Sequence, residues 1–247
     1  MRIILSPAKK MKEAPDSLRP AALPEYVSQA EIILDWLQKQ SKEELQKLWK
    51  CSDKIVNQNV ERLKHMELRR RLTPAILSYE GIAYQYMAPT VFETGQFAYV
   101  QEHLRILSAF YGVLRPMDGV TPYRLEMQAK VSLSGKKDLY DFWGRRLYDA
   151  VKDDSGITIN LASREYAKCI EKYLTPEEHY ITIKFCEKAG EKLVTKGTYA
   201  KMARGEMVRW MAERKIERPA EIRKFDRLGY VFRADISSDR EYVFERM

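Results

Sequence analysis

The feature that most constrains the fold is a short apolar run at the start of the chain. Residues 3–5 are Ile, Ile and Leu, and Ser6 and Pro7 follow directly. A run that is apolar at every position is typical of a strand covered on both faces, as in α/β proteins. Pro7 ends the strand because it has no N–H for the sheet. The chain must therefore place layers on both sides of a sheet, and the turn of residues 6–9 (Ser-Pro-Ala-Lys) leaves that sheet at its carboxyl edge.

Strand and helix patterns alternate along the rest of the chain. Strands are predicted at residues 104–108, 157–161, 180–185, 192–195, 230–232 and 242–244, and helices at 26–37, 41–49, 55–63, 74–88, 164–170 and 198–214. Residues 10–24 contain three prolines and predict an extended loop. No Pro/Gly/Ser-rich linker divides the pattern. We therefore predict an α/β (mixed α+β) fold, a single compact domain over residues 1–247 with a mixed central sheet and surrounding helices.

The composition fits a globular protein with an anionic partner. Hydrophobic residues make up 45% of the chain, and 43 Lys and Arg against 35 Asp and Glu give a net charge of +8. The three cysteines show no paired spacing, which indicates a reducing compartment. No signal peptide or membrane span is recognisable. We expect a cytoplasmic monomer that does not contact a membrane.

A large part of the positive charge falls in one segment. Residues 39–71 hold ten Lys and Arg against five Asp and Glu, an excess of +5. Two predicted helices meet there at a tight turn, which suggests an inserted helix–turn–helix-like hairpin at about residues 41–66. We expect Lys50, Lys54 and Arg62 to contact a nucleic-acid backbone. The alternative is a solvated helix face.

Common cofactor and metal motifs are missing. His65, His103 and His179 lie far apart, and none has a cysteine or carboxylate at metal-ligand spacing. Neither of the usual glycine-rich phosphate loops nor a nucleophile elbow occurs. We therefore predict no metal and no cofactor.

Polar residues instead follow the ends of predicted strands, where ligands commonly bind in α/β sheets. Glu126, Ser6, Asn160 and Ser163 are the candidate catalytic residues, with Glu126 as acid or base and Asn160 and Ser163 orienting a substrate. Tyr123 and Tyr166 are expected to line the pocket, and Lys9 and Arg124 to hold phosphate. Arg124 and Glu126 would share one face of a strand, so a structural salt bridge between them is the alternative.

A third set of cations lies on the predicted helix 198–214. Lys201, Arg204 and Arg209 fall near one stripe, where like charges repel one another. A bound phosphate would relieve that repulsion, and a solvated basic stripe is the alternative. Lys201, Arg204 and Arg209 are therefore also assigned to phosphate or nucleic-acid binding.

Six segments together resemble one family. They are residues 6–9 (SPAK), 107–116 (LSAFYGVLRP), 122–127 (PYRLEM), 138–143 (DLYDFW), 160–166 (NLASREY) and 201–205 (KMARG). In this order and spacing they are similar to the YaaA family of bacterial peroxide-stress proteins. The resemblance implies a cytoplasmic protein of the hydrogen peroxide response that limits damage by peroxide and unincorporated iron. It also implies a family-specific α/β fold with a helix-hairpin-helix element and a positively charged cleft that binds DNA.

Four hypotheses follow for the function. The first is protective DNA binding through a basic cleft. The alternative is an enzyme acting on a nucleotide or nucleic-acid base in a pocket built from the SPAK, PYRLEM, NLAS and KMAR segments. Direct iron binding is disfavoured by the missing ligand constellation and the basic surface. A peroxide-sensing thiol at Cys51, which lies between Lys50 and Lys54, is the fourth.

Overall fold

A computed structural model describes residues 1–14 and 18–247. The loop expected over residues 10–24 lies partly outside this range, because Pro15 is not among the described residues. Within the range, Lys10 and Met11 form a short strand that pairs antiparallel with Tyr79 and Glu80. The segment is therefore not wholly extended loop.

Short strands dominate the β-structure. The strands are β1 (Arg2–Leu5), β2 (Lys10–Met11), β3 (Thr73–Pro74), β4 (Tyr79–Glu80), β5 (Leu104–Ser108), β6 (Gly112–Leu114), β7 (Gly119–Val120), β8 (Ile157–Asn160), β9 (His179–Ala189), β10 (Lys192–Val194), β11 (Tyr230–Phe232) and β12 (Glu241–Arg246). The predicted strands are all present, and β9 pairs antiparallel with β10.

The helices vary more in length. They are α1 (Val27–Gln38), α2 (Lys42–Trp49), α3 (Asp53–Lys64), α4 (Ala75–Ser78), α5 (Ile82–Met87), α6 (Thr94–His103), α7 (Leu139–Trp143), α8 (Arg146–Val151), α9 (Arg164–Glu171), α10 (Gly197–Arg214) and α11 (Pro219–Ile222). No helix among these residues is long and apolar enough to cross a bilayer.

The central sheet is mixed and has β1 in its interior. Its order is β11-β12-β9-β8-β1-β5-β6, and β10 pairs with β9. β1 pairs in parallel with β5 on one side and with β8 on the other. Ile3, Ile4 and Leu5 are at most 1% exposed. The sequence prediction of a strand buried on both faces is confirmed, as is the mixed α/β fold in one compact domain.

The strand order creates a crevice at one edge of the sheet. The chain leaves β1, forms β5 on one side, and then returns to form β8 on the other. Such a reversal of direction opens a crevice beyond the carboxyl ends of the two flanking strands, and α/β proteins commonly bind ligands there. Here the crevice lies between the ends of β1 and β8.

Two helices occupy the predicted hairpin. Ser41 caps α2 by accepting a hydrogen bond from the Glu44 N–H, and the Glu44 carboxylate accepts one from the Ser41 N–H, which together form a capping box. Lys50 ends α2 in the left-handed conformation with φ of 45°. The Gln46 side chain then closes the turn by donating to Asp53 Oδ1 at 2.6 Å. The turn has no glycine, so the helix-hairpin-helix detail is not confirmed.

Residues 74–88 differ from the single helical pattern that the sequence suggested. The structure divides them into α4, β4 and α5. Gly81 lies at the break, and a Cβ atom there would come within 2.8 Å of the Ala8 Cβ. The helical pattern is interrupted at Gly81 because the turn after β1 packs directly against this residue. Helical periodicity in the sequence does not reveal such a tertiary contact.

Candidate functional site

A cavity of about 460 Å³ lies at the crevice beyond β1 and β8. Its volume is within the usual range for small-ligand sites, roughly 300–1,000 Å³. Five separate segments supply its walls: residues 5–10, 80–84, 125–126, 161–166 and 201–204. The candidate residues that line it are Ser6, Lys9, Glu126, Ser163, Tyr166, Lys201 and Arg204.

Two serines connect the ends of the neighbouring strands. The Ser6 hydroxyl accepts a hydrogen bond from the Ser163 N–H at 2.8 Å and lies 3.1 Å from the Ser163 hydroxyl. The Tyr84 hydroxyl donates to the Ser6 carbonyl oxygen at 3.0 Å. Ser163 is also the residue before α9, although its side chain makes no capping bond. The floor of the pocket is therefore held by side-chain bonds across the strand ends.

Carboxylates and a lysine form one wall. Lys9 is ion-paired with Glu126, so Glu126 does not use Arg124 as its partner. Glu165 accepts a hydrogen bond from the Gln128 N–H at 3.2 Å. Burial raises the pKa of Glu165, and the nearby Glu126 charge raises it further. Three carboxyl groups therefore line the pocket, and the third, Glu80, is ion-paired with Lys10 at 3.0 Å. Glu126 and Glu165 lie in different environments, which is the arrangement that acid–base chemistry needs.

The opposite wall depends on the close approach of α5 and α10. A Cβ atom at Gly205 would lie 1.8 Å from the Ala83 carbonyl oxygen, so only glycine allows this contact. Lys201 and Arg204 precede Gly205 on α10 and are three residues apart, which puts both on one side of the helix. The contact brings both cations to the pocket.

Two guanidinium groups near this site have unused donors. The Nε atoms of Arg124 and Arg204 are buried and have no hydrogen-bond partner among the described residues. Burial also lowers the pKa of Arg204. A buried donor without a partner costs about 1–3 kcal/mol, which a bound acceptor would recover. Arg204 lines the cavity, so its side chain borders any ligand bound there.

The two predicted pocket tyrosines have different positions. Tyr166 lines the cavity, and burial raises its pKa well above the usual value, so its hydroxyl stays protonated. Tyr123 instead bonds through its hydroxyl to Tyr79 at 2.9 Å and Ser108 at 2.7 Å. It is 5% exposed and does not line the cavity. Tyr123 belongs to the packing behind the site, which corrects its expected position.

Asn160 and Arg209 also lie apart from the cavity. The Asn160 side chain accepts from the Ala162 N–H at 2.9 Å and donates to the Thr182 hydroxyl at 3.3 Å, so it fixes the turn after β8. Arg209 is ion-paired with Glu213 at 2.8 Å, one turn further along α10. One of the three cations predicted on this helix, Arg209, is therefore already neutralised by a carboxylate, which the sequence interpretation overlooked.

The hairpin cations are outside the cavity. Lys50 and Lys54 are exposed and Arg62 is half-buried. Within residues 1–14 and 18–247, none of these three side chains has a carboxylate at ion-pair distance. Lys50 lines a second cavity of about 520 Å³, which also includes Lys9 and Glu126. The hairpin and the pocket are thus adjacent regions of one surface.

Metal and thiol chemistry find no additional support in the described residues. No group of three or more His, Cys, Asp or Glu residues among them could hold a metal ion. Cys51 is half-buried and Cys169 is buried, and burial raises the pKa of Cys169 to about 12. A thiol at Cys169 is therefore a poor nucleophile.

The fold and site together define an α/β protein with a mixed polar pocket at a reversal of strand order. The family model for "Peroxide stress protein YaaA" matches residues 1–236. A UPF0246 protein of Agathobacter rectalis is 67% identical over 246 residues, covering 100% of this chain and 99% of the relative. A UPF0246 protein of Lachnoclostridium phytofermentans is 53% identical over 244 residues, covering 99% of this chain and 96% of the relative. The chain belongs to the YaaA family of peroxide stress proteins, which supports a role in the stress response.

Proposed function

We propose that this chain serves the peroxide stress response as a cytoplasmic monomer whose pocket binds a phosphate-bearing nucleotide. The carrying observation is that residues from five segments far apart in sequence meet at one cavity. A convergent set of cations, hydroxyls and carboxyls is the usual composition of a specific small-molecule site.

The residues of the pocket suggest a division of roles. Lys201 and Arg204 hold the phosphate group, and the unused Arg204 Nε–H donates to one of its oxygens. Ser6 and Ser163 orient the sugar or phosphate from the floor. Glu126 and Glu165 exchange protons with the nucleotide, because a phosphate clamp needs donors and cations but has no use for carboxyl groups.

Calorimetric titration tests the proposal with the four deoxynucleoside 5′-monophosphates and the matching nucleosides. We expect at least one nucleotide to bind and its nucleoside to bind far more weakly. Arg204→Gln should weaken nucleotide binding about 10- to 100-fold, the effect of losing a charge-assisted hydrogen bond. Arg209→Gln is the matched control, since Arg209 lies on the same helix outside the pocket, and it should bind normally. Equal binding by both variants, or no nucleotide binding at all, would refute the proposal.

Duplex DNA binding is a second candidate, and the exposed hairpin cations favour it. Lys50 and Lys54 are exposed, and neither is engaged by a carboxylate among the described residues. Cations without carboxylate partners are suited to contacts with the phosphate backbone, which supply most non-specific affinity. The hairpin could then hold DNA beside the pocket, so the two candidate functions are compatible.

A further inference from the structure

The pocket does not end at Lys9 and Glu126. This ion pair contributes to the pocket and also to the second cavity, which runs along the outer side of α1 and α2. We call the second cavity the groove. It is lined by Trp36, Lys47, Lys50 and Lys130 among others. The pocket and the groove are therefore neighbours, and the Lys9–Glu126 pair lies at the boundary between them.

The groove combines positive charge with an aromatic face. Its lining contains Lys9, Lys47, Lys50 and Lys130 against the two carboxylates of Glu44 and Glu126. Trp36 is half-buried and so presents part of its indole to the groove. Lysines that follow a phosphate backbone beside an aromatic ring that stacks on bases are the usual elements of single-strand recognition.

We infer that the groove binds a single-stranded polynucleotide, with one nucleotide inserted in the pocket and a neighbouring base stacked on Trp36. This inference rests on the proposed function of the pocket. A base that is paired in a duplex cannot enter such a pocket unless it leaves the stack, which is easiest in an unpaired strand. The substrate class of the site is therefore a nucleotide within a strand, and a free mononucleotide fills only part of it.

Binding of a fluorescein-labelled oligothymidylate of eight residues, with thymidine 5′-monophosphate as the mononucleotide probe, tests the inference. We expect the oligonucleotide to bind at least tenfold more tightly than the mononucleotide. The double variant Lys47→Gln/Lys130→Gln should lose most of this gain and keep its mononucleotide affinity within twofold. Lys152→Gln/Lys172→Gln, which removes the same charge outside the groove, should behave as the unsubstituted protein.

The indole is tested separately because Trp36 also packs against the core. Trp36→Leu should weaken oligonucleotide binding about fivefold or more, and Trp36→Phe should retain most of it, provided both variants melt as the parent does. If the oligonucleotide binds no more tightly than the mononucleotide, or if neither the lysine nor the Trp36 variants affect it, the inference is wrong and the pocket proposal stands. If none of the four mononucleotides binds, the pocket proposal itself is wrong.

Discussion

The pocket and the helical hairpin are both basic, but they use positive charge in different ways. In the pocket, Lys9 is paired with Glu126, and Arg204 is mostly desolvated, with an Nε–H donor that has no partner among the described residues. In the hairpin, Lys50 and Lys54 are exposed to solvent and have no carboxylate partner in the described chain. Buried groups select a ligand by shape and hydrogen bonds, whereas exposed charges attract any polyanion and are screened by salt. The positive charge therefore indicates two candidate binding regions, but it does not specify the ligand of either one.

Reversing the hairpin charges should give the largest effect. Changing Lys50, Lys54 and Arg62 together to Glu should weaken duplex DNA binding roughly a thousandfold at low salt and lower the slope of log K against log salt by about 3. Anisotropy titrations of a labelled duplex at several salt concentrations measure both quantities.

The control for this variant carries the same change of charge. Lys152, Lys172 and Lys192 are exposed and lie outside the hairpin, so their replacement by Glu should affect duplex binding much less. Mononucleotide binding should be more sensitive to Arg204→Gln than to the hairpin variant. Equal loss of duplex affinity in the hairpin variant and the control would remove the distinction between the two regions.

Gly205→Ala should affect the pocket and spare the hairpin. The added methyl group would collide with the Ala83 carbonyl, so the free energy of unfolding should fall by about 3 kcal/mol, the upper end for overpacking. A loss of that size lowers the melting temperature by roughly 6–12 °C in a chain of this length. Scanning calorimetry measures the shift, and nucleotide binding should weaken while duplex binding persists below the transition.

Gly197→Ala is the matched substitution on the same helix. Apart from its chain neighbours and the backbone of its own helix, no atom of the described residues lies within 4 Å of a Cβ added at Gly197, so the melting temperature of this variant should stay the same or rise slightly. If the two alanine variants melt at the same temperature, the backbone contact between α5 and α10 does not define the pocket wall.

The pH dependence of ligand affinity should distinguish the pocket from the hairpin, although this effect is smaller. Because the pKa of Glu165 is raised, its carboxyl group stays protonated and neutral to higher pH than usual. Once the group is ionised, it repels an anionic ligand. Affinity for the dinucleotide TpT, whose phosphodiester charge is constant, should therefore fall about fivefold as the pH rises from about 4.5 to 7. Glu165→Gln should remove this part of the pH dependence. A Glu165→Gln profile that matches the parent would exclude Glu165 from the ligand's surroundings.

Local signals predicted much of the fold. The apolar run of β1 indicated burial on both faces, and local patterns also predicted the strand at residues 180–185 and the helix at 41–49. Each of these depends on neighbours a few residues apart, which the sequence displays directly. The division of residues 74–88 depends on contact with Ala8, more than seventy residues earlier, and so it escaped prediction.

The candidate site was predicted in a similar, partial way. Motifs identified Ser6, Lys9 and Arg204, because strand ends and a cation stripe are visible in the sequence. Glu165 was not singled out, although its place in the first turn of a helix after β8 was a usable signal. Arg209 was assigned to phosphate although Glu213 lies four residues on, a spacing that predicts an ion pair.

The contact between Gly205 and the Ala83 carbonyl has a consequence for how the site can diversify. The backbones of α5 and α10 are too close there to admit a Cβ atom at position 205, so main-chain atoms set the spacing of the two helices at this point. Substitutions at Lys201 or Arg204 can change the charge and the hydrogen-bonding groups offered to a ligand while this spacing stays fixed. Relatives that keep the glycine can thus acquire new ligand preferences on the same helix pair.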